Sequence, residues 1–221
     1  SHKNFEVIIV YDDENKSDLE YIKSIINFDK RFKLIINKKN IGAGISRNIA
    51  IRHSVGKFIS FLDSDDLWLP TKIEKQLKFL KKKKLNICHT SYYIINSFGK
   101  IKGFRKAKNY FNHQSLLKSC DIGLSTVLMK KNILNKKFLK FPNLKTKEDF
   151  VLWLKILQDN NQIHSLDEKL VKWRQVDNSL SSSIFQKLID GYRVYNKHMN
   201  YGIFKSIYLL FCLSINFLKK K

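Results

Sequence analysis

Apolar and polar positions alternate along the first hundred residues in a way that predicts strands and helices in turn. Residues 5–11 are a β-branched apolar run that empties into Asp12 and Asp13, the pattern of a buried strand with a polar exit. Ser17 and Glu20 are spaced like a capping box and open a helix with Leu19, Ile22 and Ile26 on one face. Residues 33–37 predict a second strand. Gly42 and Gly44 loosen the chain before a short helix from about Ser46, and residues 57–62 predict a third strand. Strands alternating with helices predict a parallel sheet of right-handed βαβ units, which brings Asp12-Asp13 and residues 63–66 to one edge.

Beyond Pro70, Ile73, Leu77 and Leu80 mark one face of a helix whose other face is lysine-rich and which ends near Lys84. Residues 85–96 and 100–104 read as a hairpin-like pair around Ser97-Phe98-Gly99, and residues 121–129 as another strand. Lys145-Thr146-Lys147-Glu148-Asp149 leads into a helix with Phe150, Trp153, Leu154 and Leu157 at helical spacing. Thr146 is its expected N-cap, with Glu148 and Asp149 in the first turn. That placement explains both acids structurally, and a first-turn carboxylate facing a cleft is also a general base if it stays deprotonated near neutral pH. The apolar stretch 203–218 is interrupted by Lys205, Ser206, Ser214 and Asn216, too short and polar to span a bilayer. With Lys219 to Lys221 behind it, it either packs on its own domain or lies on an anionic membrane face.

The 221 residues, 43% apolar and 13% aromatic, are enough for a buried core. A formal charge of +23 points to a polyanionic partner. That charge comes from 36 lysines and 6 arginines, however, spread among abundant Ile and Asn, whereas nucleic-acid readers lean on arginine. No nucleic-acid motif is present, and no nucleic-acid partner is expected. Cys88, Cys120 and Cys212 are odd in number and widely spaced, so neither a disulfide framework nor a zinc knuckle is indicated.

The chemistry concentrates where residues 57–62 spill into Asp63-Ser64-Asp65-Asp66. Ligands of open α/β sheets gather at the carboxyl ends of strands, and Mg²⁺ takes one or two carboxylates plus substrate phosphates. In an extended segment Asp63 and Asp65 fall on one side and Asp66 on the other. The pair can therefore grip one ion while the third carboxylate caps the next segment; helix capping ahead of Pro70 is the competing reading.

In order along the chain, Phe5-Glu6-Val7-Ile8-Ile9-Val10 with Asp12-Asp13, Asn40-x-Gly42-x-Gly44-x-x-Arg47-Asn48, and Gly56 through Asp63-Ser64-Asp65-Asp66-x-Trp68 make up the first part of a motif set. Lys147-Glu148-Asp149-Phe150 and Trp173-Arg174 through Asn178-Ser179-Leu180-Ser181 complete it. Over residues 5–183 this set resembles the family 2 glycosyltransferases. The resemblance implies an α/β GT-A fold with a mostly parallel central sheet flanked by helices. It also implies a nucleotide-sugar donor (a UDP-sugar), a divalent metal (Mg or Mn), inversion at the anomeric carbon, and a saccharide or lipid-linked acceptor in cell-surface polysaccharide synthesis. The implied setting is cytoplasmic, at the inner face of the plasma membrane, with peripheral contact through the C-terminal segment. Asp12 or Asp13 looks like the acid that meets the nucleotide base, with Asn40, Arg47 and Asp63 also on the donor side. Asp63 and Asp65, with Asp66 beside them, are similar to the metal-holding Asp-x-Asp. Asp149, next to Glu148, matches the catalytic base, and Arg174 falls where a basic residue meets the diphosphate. The organisation implied is a nucleotide-sugar-binding βαβ half (1–105), an acceptor and catalytic half of the same domain (106–183), and a basic helical C-terminal segment (184–221). Family members open with a strand of the type Val-Ser-Ile-Ile-Ile-Pro, which nothing before Phe5 supplies, so an N-terminally truncated fold with an exposed apolar edge is expected. The competing classes are a truncated, non-catalytic sugar-nucleotide-binding remnant and a basic nucleic-acid-binding module.

Overall fold

Consecutive β-branched side chains favour extended backbone, and β1 (Val7–Tyr11) pairs in parallel with β2 (Phe32–Ile36), Val7 opposite Phe32 and Tyr11 opposite Ile36. The computed structural model describes residues 2–176 and 183–219, so Asn178-Ser179-Leu180-Ser181 of the motif set lies outside the described residues. Between the two strands runs α1 (Leu19–Ile26). The capping box does not form. Lys16 turns the chain through a left-handed φ of 51°, Asp18 becomes the N-cap without a side-chain hydrogen bond, and Glu20 pairs with Lys23 at 2.7 Å.

The next helix, α2 (Ala43–His53), starts three residues earlier than the pattern predicts, on Gly42, and leads to β3 (Phe58–Ser60). Then come β4 (Leu67–Trp68), α3 (Lys72–Lys83), the hairpin of β5 (Ile87–Ile95) and β6 (Ile101–Arg105), α4 (His113–Leu116) and β7 (Leu128–Lys130). The chain continues through α5 (Glu148–Gln158), β8 (His164–Arg174), α6 (Ile184–Arg193), one π-helical turn (Val194–His198) and α7 (Ile203–Leu218). Residues 121–129 are not one strand. Thr126 folds back on Gly123 O through both its N–H (3.0 Å) and its hydroxyl (2.5 Å), making a 3₁₀ turn, and only Leu128–Lys130 pairs.

The fold is α/β with a central sheet and flanking helices, as expected, but the sheet is not mostly parallel. Its order is β3-β7-β5-β8-β4, with β6 beside β5, and β1 and β2 form a separate two-stranded sheet. In the larger sheet only β5 and β8 pair in parallel. The physical reason is an insertion. Strands β3 and β5, joined by α3 as a βαβ unit, run the same way, since each is antiparallel to β7, and β7 sits between them.

Burial on both faces of β5 makes this a layered core. Ile87 faces the main cluster with Ile59, Met129 and the side chains of α5, while Cys88 and Leu128 face Leu80 of α3. Helix α5 is buried all round, Phe150 through Leu154 and Ile156 being essentially inaccessible. A cleft of about 3890 Å³ is lined by β1 and β3 and by Asp12, Arg47, Asp63, Asp65, Glu148 and Asp149.

Two hydrogen bonds fasten α2 to the segment that feeds α5. Asn48 Nδ2 donates to Phe141 O at 2.8 Å, and its Oδ1 accepts from Phe141 N–H at 3.0 Å. Asn48 is 8% exposed and Phe141 2%. Asn48→Ala leaves both backbone groups buried and unpaired, at a cost of roughly 1–3 kcal/mol each. Thermal unfolding is expected to shift down by at least about 3 °C, the effect of roughly 1 kcal/mol in a domain of this size; an unchanged melting temperature contradicts the fastening role.

Candidate active site

The loop after β1 is built on Asp12. Its Oδ1 accepts from Asn37 Nδ2 (2.6 Å) and the Ile41 N–H (3.0 Å), and its Oδ2 from the Gly42 N–H (2.8 Å). Gly42 has φ 88°, a region that favours glycine. Asp12 is thus committed to protein donors. Asp13 Oδ1 accepts from the Asn15 N–H at 3.1 Å. Asn40 receives Gly42 N–H on Oδ1 at 3.2 Å and gives its own N–H to Glu14 at 2.9 Å. Of the two acids expected at the base, Asp13 has the freer carboxylate.

Helix α2 then approaches α5 closely, and glycine allows it. A Cβ on Gly44 would stand 2.7 Å from Pro142 O and 3.2 Å from Glu148 Cγ. One turn on, Arg47 reaches both acidic clusters: Nη2 donates to Asp63 Oδ1 at 2.8 Å and Nη1 to Glu148 Oε1 at 2.5 Å. Burial opposes the guanidinium's charge, but the two carboxylates outweigh it and push its pKa above the ordinary value. The Arg47 guanidinium also lies 5.6 Å from the centre of the Phe141 ring.

Residues 63–66 form a turn held from three sides. Asp66 N–H donates to Asp63 O (3.0 Å), Asp63 N–H donates to Ser125 Oγ (3.1 Å), and Trp68 Nε1 donates to Ser125 O (2.8 Å). Asp66 points inward, 5% exposed, and Oδ1 accepts from the Arg174 N–H at 2.9 Å. Burial pushes its carboxyl up to about 6 against the hydrogen bonds from Ser125 and Arg174. Arg174 spends Nε on Asp65 O (2.8 Å) and Nη1 on Asn96 O (3.1 Å) and Ser97 O (2.8 Å). It thereby ties the β5–β6 turn to the acidic turn. Asp65 is exposed, and its carboxylate accepts no hydrogen bond among the described residues.

Asp149 opens α5, but its cap is not Thr146. Lys147 is the N-cap, in a left-handed conformation with φ 62°. Thr146 gives its N–H (3.0 Å) and hydroxyl (3.1 Å) to Asp190 Oδ2, a fully buried carboxylate of α6 that also accepts from Gln186 and Arg193. That tertiary bond removes Thr146 from capping. Asp149 accepts from the Phe150 N–H at 2.7 Å. Burial pushes its carboxyl up to about 7, the charge of Glu148 adds to the rise, and Arg47 and the Phe150 N–H hold it back.

The structure therefore brings Asp12, Arg47, Asp63, Asp65, Asp66, Glu148, Asp149 and Arg174 to one cleft, and of these Asp12, Asp66 and Arg174 also make hydrogen bonds that hold its loops. Sequence reasoning missed Asn37, Ser125 and Asp190. Their partners lie 25, 62 and 44 residues away, so no local pattern carries them. Among the described residues no three His, Cys, Asp or Glu side chains gather to hold a metal. Asp63 and Asp65 alone offer hard oxygen donors, which suits Mg²⁺ or Mn²⁺ completed by water and substrate phosphates. A carboxyl near neutrality at a helix start, beside two carboxylates fit for a hard cation, is equipped to take a proton from a hydroxyl next to a diphosphate.

The chain is similar to known proteins along most of its length. The chain is 34% identical over 212 residues to UDP-Glc:alpha-D-GlcNAc-diphosphoundecaprenol beta-1,3-glucosyltransferase WfgD of Escherichia coli, covering 95% of this chain and 81% of WfgD. It is 28% identical over 222 residues to the putative teichuronic acid biosynthesis glycosyltransferase TuaG of Bacillus subtilis (strain 168), covering all of this chain and 87% of TuaG. The fold matches S. aureus TarS 1-349 in complex with UDP-GlcNAc at a TM-score of 0.70 and 19% identity, over 93% of this chain and 61% of that one. It also matches the Pyrobaculum calidifontis mannosyltransferase PcManGT in complex with GDP-Man and Mn²⁺, at 0.63 and 12% identity, over 95% of this chain and 63% of that one. The chain thus spans less than two thirds of these two solved structures. The family model for Glycosyl transferase family 2 matches residues 1–140, and the chain belongs to that family, as a glycosyltransferase of GT-A fold.

Proposed function

We propose that the chain transfers one sugar from a UDP-sugar to a saccharide or lipid-linked acceptor in cell-surface polysaccharide synthesis, with inversion at the anomeric carbon. The observation that carries this reading is the convergence of Asp63, Asp65, Glu148 and Asp149 on one cleft, with Arg47 bridging Asp63 to Glu148. The names of the relatives support the substrates: WfgD is a UDP-Glc enzyme with a diphosphoundecaprenol-linked acceptor, and TarS was solved with UDP-GlcNAc. A lipid-linked acceptor of that kind supports a setting at the inner face of the plasma membrane. Residues 1–105 supply the donor side of the cleft and residues 106–183 the base.

In the reaction, the acceptor hydroxyl gives its proton to Asp149. Its oxygen bonds to the anomeric carbon as the bond from that carbon to the diphosphate oxygen breaks, and the nucleoside diphosphate leaves with the electron pair. The attack comes opposite the leaving group, so configuration inverts. Asp63 and Asp65 would hold a divalent cation, which when bound neutralises charge on the leaving diphosphate. Arg47 fixes Asp63 and Glu148 on either side of the cleft, and Asp13 and Asn40 stand at the donor loop. Arg174, tied to three backbone carbonyls, keeps the acidic turn in shape.

Asp149→Asn is expected to lower single-turnover transfer by roughly 10²–10⁴-fold, the range for losing a general base, while UDP affinity by calorimetry stays nearly unchanged; near-normal turnover removes the role. In the wild type the rate should rise with pH and level off above about 7, where Asp149 is ionised. The stability sign is opposite. A carboxyl with a raised folded pKa stabilises most when protonated and loses that contribution as pH rises through about 7. At a pH about one unit above that midpoint, the inactive Asn variant should therefore melt higher than the wild type, and a lower melting temperature contradicts the buried placement.

Asp65→Ala is expected to weaken UDP binding roughly tenfold in Mn²⁺, one carboxylate ligand being lost, with little change in chelator. An equal loss with and without the ion would rule out a metal role for Asp65.

A further inference from the structure

Helix α7 is apolar on two opposite faces. Ser206, Leu209 and Leu213 are buried against the body of the protein. On the other side, Phe204, Ile207, Tyr208, Phe211, Ile215 and Leu218 follow one another at helical spacing and fall within about 100° of the helix circumference. Phe204 is 91% exposed, Phe211 63% and Leu218 66%. A helix apolar all round is normally buried, yet this outer stripe faces solvent. Lysines stand around it with their ammonium groups over nearby aromatic rings, of which Tyr208 belongs to the stripe. Lys118 Nζ sits 3.3 Å from Tyr208 Oη and 5.3 Å from the ring centre, Lys205 Nζ lies 3.8 Å over Tyr201, and Lys187 Nζ lies 5.2 Å over Phe217.

We infer that the outer face of α7 lies in the surface of an anionic lipid membrane, its aromatic and aliphatic side chains among the acyl chains and its lysines among the headgroups. Aromatic side chains with a polar tip and lysines with long apolar stems suit that boundary. No described helix is long and apolar enough to cross a membrane, so α7 would lie in the plane. Charge selects lipid over a second copy of the chain. Two molecules of formal charge +23 repel each other, whereas an anionic surface attracts both. Area argues the same way: sixteen residues present a stripe about 24 Å long and about 10 Å wide, well short of the roughly 800 Å² that each partner buries in a stable dimer.

The inner side of the same helix explains the arrangement. Leu210, Leu213 and Phe217 line the cleft that holds Asp63 and Asp149. A protein seated on α7 thus has its cleft beside the bilayer, where a lipid-linked acceptor is found. This deepens the proposed transfer reaction and rests on it for the purpose of docking. The docking itself is measured without donor or acceptor, so either reading can fail alone.

The test is co-sedimentation of the full chain with vesicles of phosphatidylcholine alone or with about 30% phosphatidylglycerol. Binding to the anionic vesicles is expected to be at least roughly tenfold tighter, both signals being needed for stable anchoring, and F204S/F211S should lose it by a similar factor with an unchanged thermal melt. Equal binding to both vesicle types overturns the inference, as does full retention by the variant. Dimerisation in light scattering that the same variant abolishes also overturns it, assigning the stripe to a second copy.

Discussion

One half-buried cation organises this site. Arg47 bridges Asp63, 16 residues away in sequence, and Glu148, 101 residues away, and so joins the strand-exit turn to the start of α5. Its side chain is 19% exposed and that of Glu148 12%, so leaving either without the other is destabilising. The surroundings therefore serve to place it: Gly44 lets α2 come close, Asn48 locks α2 to Phe141, and Asp190 holds the turn before α5. Glu148 takes the guanidinium, while Asp149 beside it accepts from the Phe150 N–H. Two adjacent acids thus have different partners.

The acidic turn shows the same division of labour. Asp66 is buried and gives one oxygen to the Arg174 N–H, while Asp63 and Asp65 keep the more exposed carboxylates. Arg174 and Ser125 hold the turn through backbone atoms, so the two outward carboxylates are fixed without being neutralised by those residues. This is how a rigid scaffold presents a weakly occupied set of oxygen donors to a ligand that brings its own phosphates.

Much of this is legible in the chain. β-branched runs, lysine-faced helices and the acidic strand exit lie within short windows, and α5 is where Phe150, Trp153, Leu154 and Leu157 place it. What local pattern does not carry is long-range. The insertion of β7 between β3 and β5 reverses the ladders of a sheet whose βαβ unit the pattern predicts. The N-cap of α5 passes from Thr146 to a strained Lys147 because Asp190, 44 residues later, claims both polar groups of Thr146. The loop-holding bonds of Asp12 are likewise invisible in the sequence, since they come from backbone N–H groups whose positions only the fold determines.

The central claim is that burial raises Asp149 and Arg47 restrains the rise. The most direct measurement is the titration midpoint of the Asp149 carboxyl by ¹³C NMR of Asp-labelled protein, assigned against Asp149→Asn, in the wild type and in Arg47→Gln. The account predicts a wild-type midpoint near 7 and a higher one once the guanidinium is removed. A wild-type midpoint in the ordinary carboxylate range, or one that Arg47→Gln leaves in place, would contradict it.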